Sequence, residues 1–459
     1  MVLNNSRTSR FRLLIVACCI PLAAGALSAQ DLNVTTTTMH DENIFEVYNP
    51  TSDQLTEINL DCSKDWDYDN SNIGLAYTGG LQLFHDLPQR NYHVHSLSLS
   101  SFYHFERESD DEENDDSSAA NGEGAGEGLA AHRDSPGTGS GHGPAVSPDS
   151  SDNFVFASAW GTLQVDKDGY QNYDNSRLGA SAALRQPIGA AVSAWPAYAF
   201  VYRNYPNVSA LSNVQNILSF SLGTSLVGGG WISVSPAYSF KSYTGSSTYY
   251  DTLIPPGLRV SHGNGKGIGG GAGSGGAPRG KKYTFTTPSV RQFSVAGNWR
   301  QKVGGSTELG VQYVFFGEPS SEARLLSNQL QGAPGSQGPL VDMGAQNEIS
   351  DDHFAYSGNE AAFSARQAIP GGIVVGIGQS LQSKTYTVPA LNLDDSTIVA
   401  PHREDRRYET QISLSKSFPI GSGRTLRPQA QIEFIRNSSN APFYVFNKTT
   451  FLAGLELNF

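Results

Sequence analysis

The chain has 459 residues, 38% of them hydrophobic, and a formal net charge of −12 from 43 acidic and 31 basic side chains. Beyond its amino-terminal segment no run approaches the roughly 18 to 20 apolar residues of a membrane helix, which excludes a helical membrane protein. Strands that cross a bilayer stay possible, because they are half polar and each carries a weak signal. Gly (49), Tyr (20) and Phe (22) are abundant, and no long stretch repeats with a helical period, so one large all-β unit is expected.

Arg7, Arg10 and Arg12 precede an apolar stretch from Leu13 to Ile20 that runs on to Leu27 and ends at Ser28-Ala29-Gln30. A basic start, a short apolar core and a small-residue exit make a secretory signal peptide, so residues 1–29 are expected to be removed. A lipidated Cys18 after Ile15-Val16-Ala17 is the alternative, and it would leave an apolar core of only about five residues. Cleavage after Ala29 removes Cys18 and Cys19, which leaves Cys62 of the three cysteines. One thiol allows neither an intramolecular disulfide nor a multi-cysteine metal site.

Residues 30–459 then alternate apolar and polar positions almost throughout. Strand candidates follow in order at Leu32-Val34-Thr36-Thr38, Thr56-Ile58-Leu60-Cys62, Ile73 to Leu83 and Leu97 to Phe105. Past an insert come Phe154 to Val165, Leu178 to Leu184, Val192 to Tyr202, Val214 to Leu226 and Ile232 to Phe240. The rest are Arg291 to Trp299, Thr307 to Phe315, Ala361-Phe363-Ala365, Ile373 to Leu381, Tyr408 to Leu414, Leu426 to Phe434 and a last strand from Thr449. The count is about sixteen, with fourteen the alternative, and an even number suits a single-chain barrel. Pro196, Pro236 and Pro428 fall inside these strands, where the missing N–H implies bulges.

The connections alternate in length. Pro187-Ile188-Gly189, Gly228-Gly229-Gly230, Gly304-Gly305, Pro370-Gly371-Gly372 and Pro419-Ile420-Gly421-Ser422-Gly423 read as tight turns. Between them lie longer stretches near 203–210, 246–287, 318–352, 387–405 and 438–445. Short turns on one side and long loops on the other are a barrel pattern. The segment 107–150 breaks it: by strand parity it falls on the short-turn side, unless the register before it is off by one strand. It opens with Glu108, Asp110, Asp111, Glu112, Glu113, Asp115 and Asp116 and continues rich in Gly, Ser and Pro, a composition of disorder. It lacks the spaced carboxylates and fixed Gly of a calcium loop.

Catalytic motifs are missing. Gly265-Lys266-Gly267-Ile268-Gly269-Gly270 matches a nucleotide-binding pattern only inside glycine-rich sequence, with no βαβ context. No Gly-x-Ser-x-Gly or His-Glu-x-x-His occurs. Asp351-Asp352-His353, with Asp166 and Asp168, faintly resembles the water-activating groups of omptin-type outer-membrane proteases, yet adjacent polar residues at a loop end are ordinarily solvated. No enzyme, cofactor, metal or nucleic-acid partner is expected.

The chain ends Thr449, Phe451, Ala453, Leu455, Leu457 and Phe459, with Thr450, Gly454, Glu456 and Asn458 between. An alternating strand closed by an aromatic carboxy-terminus resembles the last strand of bacterial outer-membrane β-barrels. That resemblance implies a cell outer-membrane location, contact with lipid and lipopolysaccharide, and an assembly signal at Phe451, Leu455, Leu457 and Phe459 read by the barrel-assembly machinery. If the apolar set faces lipid, a charge beside it near the midplane would cost roughly 2 to 4 kcal/mol. Arg177, Arg185, Arg203, Arg300, Arg366, Arg407 and Arg427, with Glu308, Glu360, Glu409, Glu433 and Glu456, are therefore expected to line the lumen. They would set a transverse field there, or pair and fill it.

Arg403-Glu404-Asp405-Arg406-Arg407-Tyr408, Gln411 to Ser417 and Arg436-Asn437-Ser438-Ser439-Asn440 resemble the closing strands of uncharacterised outer-membrane barrels and the barrel of surface lipoprotein assembly modifiers. The helical repeats that precede that barrel have no counterpart here, so lipoprotein export is not expected. Asp41-Glu42-Asn43-Ile44-Phe45 resembles the first outer loop of porin-like barrels. The expectation is an all-β antiparallel transmembrane barrel acting as a passive porin-like channel, with a closed surface-binding barrel and a secreted soluble β protein as alternatives.

Overall fold

The computed structural model describes residues 31–44, 50–105, 153–166, 174–188, 192–207, 209, 212–250, 282–286, 289–317, 356–386, 390–391, 398–421 and 423–459. Residues 1–29, expected to be a signal peptide, and the insert 107–150 lie outside the described residues. Sixteen strands form the wall: β1 (Asp31–Asp41), β2 (Asp53–Tyr68), β3 (Ser71–Phe84), β4 (Tyr92–Phe105), β5 (Asn153–Asp166), β6 (Asn175–Ile188), β7 (Val192–Asn204) and β8 (Asn213–Leu226) make the first half. The second half is β9 (Gly230–Tyr243), β10 (Val290–Val303), β11 (Thr307–Gly317), β12 (Tyr356–Ile369), β13 (Ile373–Tyr386), β14 (Glu404–Lys416, resuming at Phe418–Gly421), β15 (Arg424–Ser439) and β16 (Phe446–Asn458). These are the sixteen stretches whose alternation marks them as strands in the sequence.

Every strand pairs antiparallel with its chain neighbour, and β16 pairs with β1 from Leu457↔Val34 to Thr450↔Asp41, so the sheet has no edge. Phe459 N–H donates to the Leu32 carbonyl at 2.9 Å, and Glu42 N–H to the Thr449 carbonyl at 3.1 Å, carrying the seam beyond both strands. Near its upper end the Lys448 ammonium lies 2.9 Å from the Asp41 carboxylate, both almost fully buried. Following the pairing from Val34 through each strand in turn returns to β1 displaced by about 20 residues, which sets a strand tilt of about 43° and a wall radius of about 15 Å.

The in-strand prolines correct one expectation, because they need no bulge. Pro196 pairs with Phe220 of β8 and Pro236 with Val295 of β10, while the bridges they would make to β6 and β8 are missing without a shift of register. Pro428 pairs with Leu455 of β16, and the β14 ladder breaks opposite it, which splits that strand around Ser417. In an antiparallel ladder a residue's N–H and C=O point to the same neighbour, so a missing N–H spoils one side only.

At one end of the barrel the connections 69–70, 189–191, 227–229, 304–306, 370–372 and 422–423 join strands in two or three residues. Gly228 and Gly229 (φ 84° and 77°) and Gly371 and Gly372 (φ 91° and 75°) take consecutive left-handed conformations that suit a two-stranded reversal. Phe105 and Asn153, which flank the insert, pair with each other at this same end. The parity reading therefore stands, and the insert is the one long connection on the short-turn side. At the other end short hairpins stand at Ser246–Tyr250/Lys282–Thr286 and Ala390–Leu391/Ile398–Ala400.

Replacing Lys448 by Met leaves the Asp41 carboxylate buried at the seam without that ammonium, which costs about 3 to 5 kcal/mol. The expected result is a lower urea midpoint for the protein refolded in lipid vesicles, and an unchanged midpoint would contradict it.

Candidate functional site

Alternation sorts every strand into an outer and an inner face. The outer face is apolar: Ile58 and Leu60 on β2, Leu97 and Leu99 on β4, Leu218 and Leu222 on β8, Ile377 and Leu381 on β13 and Leu455 on β16 are all exposed. Tyr238, Phe293, Phe315, Tyr408 and Phe451 ring the belt toward the loop end, and Trp66, Tyr68, Tyr103, Phe105, Phe418 and Phe459 ring it toward the tight-turn end. Two aromatic girdles around an apolar band are the outer surface of a transmembrane barrel. Cys62, a free thiol, sits half-buried on this face.

The inner face is polar, and its middle is small. Ser98, Ser158, Ser181, Ala197, Ser219, Ser235, Ala296, Ser364, Gly376, Ser413 and Gly454 all turn inward near mid-strand, and Ser158 and Ser181 share a 2.7 Å hydroxyl hydrogen bond. Charges stand above and below this waist. All twelve residues singled out in the sequence lie on inner-face positions, but they divide by exposure. Arg177, Arg185, Arg203, Glu360 and Glu433 are packed against the wall, at 6% exposure or less, whereas Arg300, Glu308, Arg366, Arg407, Glu409, Arg427 and Glu456 keep accessible surface.

The inner charges pair in part. Arg427 lies 3.7 Å from Glu456 across the β15–β16 ladder, Arg407 is 3.6 Å from Glu409 two residues along β14, and Glu308 stands directly opposite Arg366. Glu360 accepts from the Gln382 amide at 2.9 Å. Arg177 and Arg203 oppose each other in register, and each donates to a neighbour two residues away: Arg177 Nε to Asn175 Oδ1 at 3.1 Å, and Arg203 to the Tyr205 hydroxyl at 3.4 Å.

One wall of charge was passed over in the sequence. Asp53, Glu57, Asp61, Asp65 and Asp67 all occupy inner positions of β2, and Asp31 and Asp41 inner positions of β1. Half-way round the barrel, eight strands on, β10 carries Arg300 and Lys302 inward and β9 carries Lys241. The signal for the acidic row was present, since these residues fill the gaps in the Ile58-Leu60-Cys62 alternation.

The loop end carries packed clusters. Met39, Leu55, Phe84 and Tyr92 gather with Ile44 from the β1–β2 loop and Leu87 from the β3–β4 loop. The Asp53 carboxylate fastens the latter by accepting the N–H groups of His85, Asp86 and Leu87 at 3.1, 2.8 and 3.1 Å. About a quarter of the way round the barrel the Arg403 guanidinium is stacked between Tyr386 and Tyr444, 3.9 and 3.5 Å from the ring centres, and pairs with Asp405. Asp166 is the last residue of β5, and its N–H donates to Asp174 at 2.7 Å; 168 and 351–353 lie outside the described residues. Among the described residues no cluster of His, Cys, Asp or Glu could hold a metal.

No protein-family model and no curated protein matches the sequence. Among solved structures it is similar to Pseudomonas aeruginosa OpdL (9% identity, TM-score 0.40, covering 94% of this chain and 98% of that one) and to OpdK with vanillate (10%, 0.38, 94% and 98%). The Pseudomonas aeruginosa outer membrane protein OprD is a third (8%, 0.40, 94% and 92%). These superpositions are loose, and the class follows from the chain's own pairing and surface: a transmembrane antiparallel β-barrel of sixteen strands with an apolar belt and a polar interior.

Removing the Asp53 carboxylate by Asp53→Ala takes away three hydrogen bonds to a charged acceptor. Amide exchange at residues 85–87 is expected to rise by about tenfold or more, read by hydrogen–deuterium exchange, with exchange in the wall unchanged.

Proposed function

We propose that the protein is a passive, porin-like channel of the Gram-negative outer membrane that admits small polar solutes. The observation that carries this reading is the waist. A barrel whose role is only structural or adhesive can fill its interior with interlocking side chains, whereas this wall of about 15 Å radius turns mainly Ser, Ala and Gly inward at mid-height. The acidic row of β1–β2 against Lys241, Arg300 and Lys302 supports a transverse field, which orients polar solutes as they pass. Arg407, Glu409, Arg427 and Glu456 would shape the same field from the β14–β16 side, and the wall-packed Arg177, Arg185, Arg203, Glu360 and Glu433 from behind.

The outer belt would contact lipid, with lipopolysaccharide around the loop end. The exposed Phe451, Leu455 and Phe459, with Leu457, form the outward stripe of the closing strand and would serve as the signal that the barrel-assembly machinery reads. Catalysis has no part in this reading.

Purified protein inserted in a planar bilayer is expected to give discrete open-channel steps. A correctly folded but silent barrel would move the function to its long loops. Within a conducting channel, reversing Arg427 to Glu removes a lumen cation beside Glu456, and reversing Asp65 and Asp67 to Lys does the opposite on β2. Under a salt gradient the reversal potential should move toward cations in the first variant and toward anions in the second.

A further inference from the structure

Of the five tryptophans, Trp66 and Trp299 face outward, where barrel tryptophans suit the membrane interface, but Trp160, Trp195 and Trp231 face the lumen. An indole turned into a polar channel is out of place unless something uses its face. Each of these rings is held in a definite pose and remains half-buried, with surface toward the interior. Trp160 lies flat on the backbone of Gly179 in β6, where a methyl group would overlap its ring, and Trp231 lies likewise on Gly223 in β8, where a methyl carbon would come 2.9 Å from Nε1. Trp195 stands edge-on to Phe154 at 5.6 Å, with the Arg185 guanidinium 5.3 Å from its centre, and Phe156 extends the apolar wall beside Phe102 at 4.9 Å. Along the strands Trp160 sits at mid-height and the others near the tight-turn end, so the rings descend one side of the channel from waist to exit.

We infer that this β5–β9 wall is a stacking track for neutral carbohydrate rings, a reading that rests on the channel function proposed above. A pyranose offers one apolar C–H face to an indole and hydroxyls around its rim, and the rim here would meet the half-buried inward hydroxyls of Ser98, opposite Trp160 in register, and Ser181. An aromatic carboxylate would also stack but needs an accessible cation beside the ring; Arg177, Arg185, Arg203 and Lys241 of this wall are each 5% exposed or less, and the accessible Arg300 stands opposite Trp231 near the tight-turn end, away from the mid-height ring of Trp160. The surroundings of Trp160 therefore favour an uncharged ring.

The test uses the full-length barrel, both in detergent for tryptophan emission and in a planar bilayer, with maltohexaose and benzoate as probes. Maltohexaose is expected to shift the emission and interrupt the open-channel current, benzoate to do neither. Trp160→Ala and Trp231→Ala should each weaken the maltohexaose response by roughly tenfold, while Trp66→Phe/Trp299→Phe keeps it. If an alanine variant fails to fold, Gly223→Ala, which displaces the Trp231 ring, supplies the same comparison. A conducting channel indifferent to maltohexaose, or one answering benzoate instead, overturns the inference and leaves the channel intact. A silent barrel whose emission still shifts in a Trp160-dependent way overturns the channel and supports the track.

Discussion

The pairing of β16 with β1 is the constraint on which the rest of this molecule depends. A strand edge in hydrocarbon would leave a row of N–H and C=O groups without partners, each costing several kcal/mol, so a sheet can cross a bilayer only when its first and last strands meet. Here they meet over the full height of the wall, and the Lys448–Asp41 pair and the Phe459 and Glu42 backbone bonds extend the seam past the strand ends. The prolines of β7, β9 and β15 are tolerated within the same rule, because each breaks bridges to a single neighbour and the other ladder holds the register.

Closure also forces a choice of solvent on every residue. With lipid outside, a charged side chain in mid-strand has only the interior to enter, and the outward charges, such as Lys64, Arg291, Lys416 and Arg436, stand toward the strand ends. The interior is not uniform. Acidic side chains cluster on β1 and β2, cations on β9 and β10, and aromatic rings descend from β5 to β9. At the loop end, packed clusters centred on Asp53 and Arg403 each satisfy a buried charge with several partners rather than one.

Much of this could be read from alternation, and the failures are instructive. Period-two patterning located all sixteen strands and the inner face of Arg300, Arg427 and Glu456, because one polar residue among apolar neighbours has a single acceptable side. It could not separate accessible from buried, since Arg185 and Arg300 have the same pattern but only Arg185 lies under Trp195 and Phe154. The acidic row on β2 is equally readable, since Asp53, Glu57, Asp61, Asp65 and Asp67 fill the polar half of that strand's alternation. Trp160 and Trp231 look like ordinary strand aromatics until Gly179 and Gly223, on neighbouring strands, are placed beneath them.

By itself, then, the sequence determined the class of fold, a strand count of about sixteen, which end has the tight turns and which face of each strand meets lipid. These follow from local rules: a two-residue period, glycines at turns and the cost of charge in hydrocarbon. Only the tertiary structure decided what stands opposite what. The opposition of β2 to β10, the stacking of Arg403 between Tyr386 and Tyr444 and the glycine-backed tryptophans depend on register and shear summed around the whole barrel, and no window of sequence contains that sum.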